Sequence, residues 1–241
     1  MRGNVVTGFN LNMSKDIKIN GYVNDSDINA GGNVNIQGGF TGTGIGKIVS
    51  GGNVCARFIR NQTVYSRGNI TIDKEAVDAK LFAKNDITYR NNEAVIVGGH
   101  LIAGGNIIVS TLGHEYSVAT IIEVGYDYDL IREIKELEIV MINLKKEIAM
   151  LKSQFSEHLS KNFLMNFQNK NKEYEALLNK RKEFQQQIKA ASNSTVNVSG
   201  KIYPGVKIII NGHNIEIEEE LNSKIFMYSA KEDKIVAVDR K

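Results

Sequence analysis

A short internal repeat governs what this chain can fold into. Six short segments begin alike: Asp16–Ile19, Gly32–Ile36, Gly52–Ala56, Gly68–Ile72, Asn85–Tyr89 and Gly105–Val109. Their first apolar positions are Ile17, Val34, Val54, Ile70, Ile87 and Ile107, so the pattern returns at fairly even steps along the chain. A second short stretch ending in a small residue precedes each later unit: Ile28–Ala30, Ile48–Ser50, Val64–Ser66, Leu81–Ala83 and Leu101–Ala103. An apolar-polar-apolar triplet reads as a strand with one face inward. The Gly-Asn pair between the two strands, or its Asn-Asp equivalent, marks a sharp corner, where both residue types accept positive φ cheaply. One such coil cannot bury its own inner face, so the coils must stack. The pattern predicts a parallel β-helix. Its period does not fit the strict hexapeptide of left-handed acyltransferase helices, so the right-handed form is expected.

The expected inner positions are Ile17 and Ile19, Val34 and Ile36, Val54 and Ala56, Ile70 and Ile72, Ile87 and Tyr89, and Ile107 and Val109. Lys18, Asn35, Cys55, Thr71, Thr88 and Ile108 lie between them and point outward. The corner column Asn33, Asn53, Asn69, Asp86, Asn106 admits two readings: a metal or sugar site, or a ladder of corner side chains bonded to backbone. The ladder is the expected one.

Glycine distribution locates an interruption. Of 22 Gly, 19 lie between Gly3 and Gly125 and three between Gly200 and Gly212, with none from Tyr126 to Ser199. In that stretch Leu130, Ile134, Leu137, Met141, Leu144, Ile148, Leu151 and Phe155 recur at alternating steps of 4 and 3, a sustained heptad. A second series, Phe167, Lys170, Tyr174, Leu177, Arg181, Phe184 and Ile188, has the same spacing with two charged interruptions. Two antiparallel helices forming a coiled-coil hairpin are expected, reversing near His158–Asn162. Alternation resumes at Thr195–Gly200, Lys201–Gly212, Ile215–Ile217, Ile225–Tyr228 and Ile235–Val238. The expected organisation is a β-helix over residues 1–125, a helical hairpin over 126–192, and a C-terminal β segment over 193–241 that rejoins and caps the β-helix.

The repeated Gly-Asn/Asp-Ile/Val corners, the block Val97–Ala103, the segment Thr120–Gly125 leading into a coiled coil, and Gly200–Val206 after it together resemble the flagellar assembly protein A family. The resemblance covers about residues 15 to 238. It implies a right-handed β-helix with an inserted coiled coil, a bacterial cytoplasmic location at the cell pole or flagellar base, and a scaffold role in flagellar assembly or polar organisation. It carries no catalytic residue. Family members usually have a further N-terminal domain, for which this sequence has no room. A fragment or short paralogue is therefore expected.

Composition excludes several alternatives. Thirty basic residues against 27 acidic ones, net +3, make no case for nucleic acid. One cysteine excludes a disulfide framework or a cysteine-built zinc site. No apolar run reaches the length of a membrane span, and the N-terminus lacks the core of a signal peptide. His100, His114, His158 and His213 lack the helical i, i+4 pairing of zinc proteases. The separation of His100 from His114 is near one coil length, so these two can approach each other. Gly38–Gly46 lacks the Gly-Lys-Ser/Thr ending of a phosphate loop and reads as a bulge from a long coil. No catalytic residue, cofactor or metal is expected.

Three functions remain. The chain is a non-enzymatic scaffold docking protein partners, a β-helix enzyme acting on a polysaccharide or acyl donor, or a bactofilin-like polymerising β-helix. A hairpin emerging near the C-terminal end obstructs end-to-end stacking, which counts against the last. The scaffold is the expected one. Phe155, Leu159, Phe163, Leu164 and Phe167, at the hairpin tip, are the candidate partner-binding residues. The alternative is that they close the end of the coiled coil on each other. The oligomeric state is open, a homo-oligomer included.

Overall fold

The structure, a computed structural model, describes residues 2–90, 93–125, 128–153, 161–190 and 193–240. It is a parallel β-solenoid with two inserted helices. One sheet stacks Asn10–Met13, Asp27–Ala30, Lys47–Ser50, Thr63–Ser66, Lys80–Ala83, His100–Ala103, Thr120–Val124 and Val206–Ile210, all parallel. The second sheet stacks the repeat strands, from Ile17–Ile19 through Ile107–Val109 to Thr195–Ile202. Of the twelve predicted inner residues eleven are buried; Tyr89 is half-buried and packs against the core, its hydroxyl 3.2 Å from Ser199 Oγ.

The corner between the two sheets is a hydrogen-bonded ladder. The backbone N–H of Asn33 donates to Asp16 Oδ1 at 2.7 Å, Asn53 N–H to Asn33 Oδ1 at 2.8 Å, and Asn69 N–H to Asn53 Oδ1 at 2.8 Å. Asp86 N–H follows on Asn69 Oδ1 at 3.0 Å and Asn106 N–H on Asp86 Oδ1 at 2.6 Å. Each side chain thus satisfies a donor that the turning backbone cannot satisfy itself. Serine hydroxyls support the same corner, Ser50 Oγ donating to the Gly32 carbonyl and Ser66 Oγ to that of Gly52, both at 2.8 Å.

The glycines of this corner have a different reason from the one expected. Gly32, Gly52, Gly68 and Gly105 are not at positive φ. Each lies against the ladder oxygen of the preceding coil, so a Cβ would overlap Asp16, Asn33, Asn53 and Asp86 Oδ1 respectively. Close approach, not left-handed backbone, selects glycine here. At Asn85, which carries a Cβ, the rung is 3.0 Å.

Each coil also has a third face, which the two-strand reading missed. Val23–Asn24, Val95–Val97, Thr111–Leu112 and the far ends of Val34–Thr41, Val54–Arg60 and Ile70–Val77 form it. The chain leaves this face through left-handed residues. Asp25, Asn61, Asp78 and Gly98 have φ of 34°, 54°, 47° and 69°, each two positions before a strand of the first sheet. Asn, Asp and Gly are the residues that adopt this backbone most readily.

The helices enter between Val124, at the end of a first-sheet strand, and Thr195, at the start of a second-sheet strand. They therefore interrupt the ladder corner. The ladder nonetheless continues: Thr195 N–H donates to Asn106 Oδ1 at 3.0 Å. Beyond the last coil the pairing turns antiparallel. His213–Glu216 pairs back on Val206–Ile210, while Leu221–Ser229 and Lys234–Asp239 extend the second sheet. Phe226, fully buried, faces inward beside Val196.

The chain divides into two compact units, Met1–Tyr128 with Ala191–Lys241, and Asp129–Ala190. Within the second, α1 (Tyr128–Ser153, whose first residue belongs to the first unit) and α2 (Lys161–Ala190) run antiparallel, since Glu147 meets Lys170 at 2.8 Å while Glu138 and Arg181 line a common crevice. The predicted heptad is the buried seam of α1: Leu137, Met141 and Leu144 are buried, and Leu130, Ile134, Ile148 and Leu151 half-buried.

Candidate functional site

The helical unit is the first candidate. The charged interruptions of the α2 seam are resolved differently. Lys170 reaches Glu147, whereas Arg181 Nε is buried without an acceptor. Arg181 lines a crevice of about 240 Å³ with Glu138, Met141, Ile142, Lys145 and Tyr174. Of the predicted tip residues, Phe163, Leu164 and Phe167 fall in the first turns of α2 and are half-buried. Phe155 and Leu159 lie outside the described residues. Met165, in the same first turns of α2, is 61% exposed.

The outer surface of the solenoid is the second candidate. On the first sheet Tyr65 and Phe82 stand in register on adjacent coils and stack at 4.6 Å, with Tyr128 at 5.2 and 5.6 Å from them and Lys47 Nζ over Tyr65 at 5.1 Å. This contiguous aromatic column is the kind of surface that sequence periodicity alone did not single out. Its signal was the residue between the two inner positions of the short second stretch, Tyr65 in one coil and Phe82 in the next. On the third face the Phe58 ring lies over Gly39, where a Cβ would overlap it, and Arg60 stacks on Phe58 and pairs with Glu75.

The three described histidines have separate partners, and His158 lies outside the described residues. His100 Nε2 is 3.2 Å from Glu123, on the first sheet. His114 packs against Tyr116, and His213 stacks on Tyr228 at 4.8 Å near Asp233. Among the described residues no group of three His, Cys, Asp or Glu is placed to hold a metal ion.

One buried carboxylate is fully engaged. Asp25 accepts the Thr43 N–H at 2.9 and 2.8 Å, the Thr43 hydroxyl at 3.0 Å and Gln62 Nε2 at 2.7 Å. It pins the glycine-rich bulge of the long coil to the coil on either side. Burial pushes the Asp25 carboxyl up, but hydrogen bonds from Thr43, Gln62 and Gly44 together outweigh this and hold it below the ordinary aspartate range. A folded-state value below the unfolded one stabilises the fold above about pH 4, and the contribution is lost as pH falls through the folded value. Asp25→Asn is therefore expected to lower the urea midpoint at pH 7 and to lower it less at pH 3. An equal loss at both values would contradict an ionised Asp25.

The stacked coils, the ladder and the antiparallel closing strands identify a β-solenoid carrying an inserted helical pair. Residues 1–235 match the family described as the Flagellar Assembly Protein A beta solenoid domain. The chain belongs to the flagellar assembly protein A family. No curated protein and no solved structure matches it. The match takes in the solenoid, both helices and most of the closing strands. Flagellar assembly protein A is not a known enzyme family, and membership points to a non-enzymatic role linked to flagellar assembly. No helix among the described residues is long and apolar enough to cross a membrane.

Proposed function

We propose that this chain is a non-enzymatic scaffold in which the solenoid is a rigid platform and the helical hairpin docks protein partners for flagellar assembly or polar organisation. The reading places it in the cytoplasm, at the cell pole or flagellar base. The observation that carries it is the insertion itself. A hairpin of separate compactness, Asp129–Ala190, interrupts a ladder that closes across it through Asn106 and Thr195, so the solenoid does not need the helices to complete its coils. An element that is dispensable to its host fold is retained for something other than folding. The half-buried tip residues Phe163, Leu164 and Phe167, with Phe155 and Leu159, are one docking candidate, and the faces of the helices are the other.

Replacing residues 129–190 by a short Gly-Ser bridge is expected to leave the solenoid folded, with its strand circular dichroism and unfolding midpoint nearly unchanged. The same deletion is expected to abolish co-purification of flagellar assembly proteins with the tagged chain. Retained recruitment would move the docking surface to the β faces, where the Tyr65–Phe82 column is the first place to mutate. Loss of the solenoid fold itself would show that the helices are structural.

A further inference from the structure

Helix α1 is apolar on two opposite faces, and only one forms the seam; on the other, Ile142 reaches the rim of the crevice that Arg181 lines and is otherwise exposed. Leu137, Met141 and Leu144 are buried in the seam. On the other side Ile139, Ile142 and Met150 are 61%, 56% and 65% exposed. Lys135 and Lys146 are exposed on the same side, and neither forms an ion pair among the described residues. Positions 135, 139, 142, 146 and 150 follow steps of 4, 3, 4 and 4, the spacing that brings side chains into one line along a helix. The result is a stripe with two isoleucines at its centre, a lysine at each side of them and a methionine beyond. A solvated helix face is normally polar.

The charge pattern discriminates between occupants. A second copy laid antiparallel about the two isoleucines would set Lys135 against Lys146 of the other copy. A parallel copy would set each lysine against itself. An anionic lipid surface would meet Glu136 and Glu147 along one edge of the stripe, and only three exposed apolar side chains to insert. A helix with apolar residues opposite Ile139 and Ile142 and carboxylates set only opposite the lysines, clear of the Glu136 and Glu147 edge, satisfies every group of the stripe, which a uniformly anionic surface does not.

We propose that the Lys135–Ile139–Ile142–Lys146–Met150 stripe docks an acidic amphipathic helix of a protein partner. This rests on the reading of the hairpin as the docking element. It assigns the surface to the outward face of α1 rather than to the tip. The apolar pair supplies burial, and the lysines select sign and register.

The test uses the full chain and a fluorescein-labelled, hydrocarbon-stapled peptide of about five helical turns, with Leu at i, i+3, i+4 and i+7 and Glu on the flanks. Fluorescence anisotropy is expected to show saturable binding, weakened at least about tenfold by Lys135→Glu with Lys146→Glu, and similarly by Ile139→Asn with Ile142→Asn. All four positions are exposed, so helical circular dichroism should be unchanged. A matching Leu/Lys peptide should bind the native chain poorly and the charge-reversed chain better. Absent binding of the Leu/Glu peptide, or equal binding by native and charge-reversed chains, would overturn the proposal. So would self-association in sedimentation that Ile142→Asn abolishes, or flotation of the native chain with phosphatidylglycerol vesicles that charge reversal abolishes. If hairpin deletion stops recruitment of flagellar assembly proteins while the stripe substitutions do not, this inference fails and the scaffold reading stands.

Discussion

Phe226→Ala is expected to destabilise the solenoid by about 3–5 kcal/mol, the range for a buried phenylalanine truncated in a packed core. Phe226 is fully buried and lies in Leu221–Ser229, the first antiparallel strand beyond the parallel stack of the second sheet. Its neighbours in register are Val196 and Ala237. A coil inside the stack is covered above and below by its neighbours, but the last coil has a neighbour on one side only. Val196, Val198, Val206 and Ile208 are nonetheless wholly buried, so the closing strands cover them. Removing the ring leaves a void with no further coil to relax into it. Because a solenoid is a nearest-neighbour system, the damage should be local first. Amide exchange should accelerate in Thr195–Ile202 and Val206–Ile210 before it changes in Val54–Arg60. Phe226→Leu, which keeps most of the volume, should cost about 1 kcal/mol. The chain has no Trp, so urea unfolding is best followed by circular dichroism. A loss below about 1 kcal/mol for the alanine variant would mean that Phe226 does not close the end of the core.

What was legible in the sequence follows from what repeats in it. Ile17, Val34, Val54, Ile70, Ile87 and Ile107 occupy equivalent places in successive coils, so parallel stacking writes itself into the chain as a period. The Asn column was legible for the same reason. The role of its glycines was not, since Gly32 or Gly52 in isolation fits a positive φ as well as a close approach. The third face left a fainter trace. Asp25, Asn61 and Asp78 each precede a strand by two positions, but a bulge breaks the series between the first two and Gly98 replaces the acidic or amide residue later. Phe226 was not legible as an end plug, because antiparallel closure happens once and has no second copy to compare. In the hairpin the heptad from Leu130 to Leu151 selected the seam. The same 3-and-4 spacing on the opposite side, through Ile139 and Ile142, was overshadowed by it. A docking face needs no fixed chemistry of the sort that paired titratable residues announce, so function was legible only through the family.

The close approach at the ladder corner makes a second large effect measurable as a coupling. Gly68→Ala is expected to cost about 2 kcal/mol, because its Cβ would occupy the place of Asn53 Oδ1 and displace a hydrogen-bond acceptor. If Asn53 swings away, the Asn69 N–H that it accepts at 2.8 Å loses its partner. An orphaned donor of this kind costs about 1–3 kcal/mol. Asn53→Ala alone should cost a similar amount by the same loss. The two losses are one loss, so the double variant should fall short of their sum by about 1–2 kcal/mol. The chain already contains the relaxed form of this rung. Asn85 and Ser194 precede the ladder donors Asp86 and Thr195, and those two rungs are 3.0 Å rather than the 2.6 to 2.8 Å of the glycine-preceded ones. Asn85→Gly should therefore be tolerated at the ladder, its remaining cost being the greater freedom of glycine in the unfolded chain. Strict additivity of Gly68→Ala and Asn53→Ala would show that glycine at this corner answers to something other than the ladder oxygen beneath it.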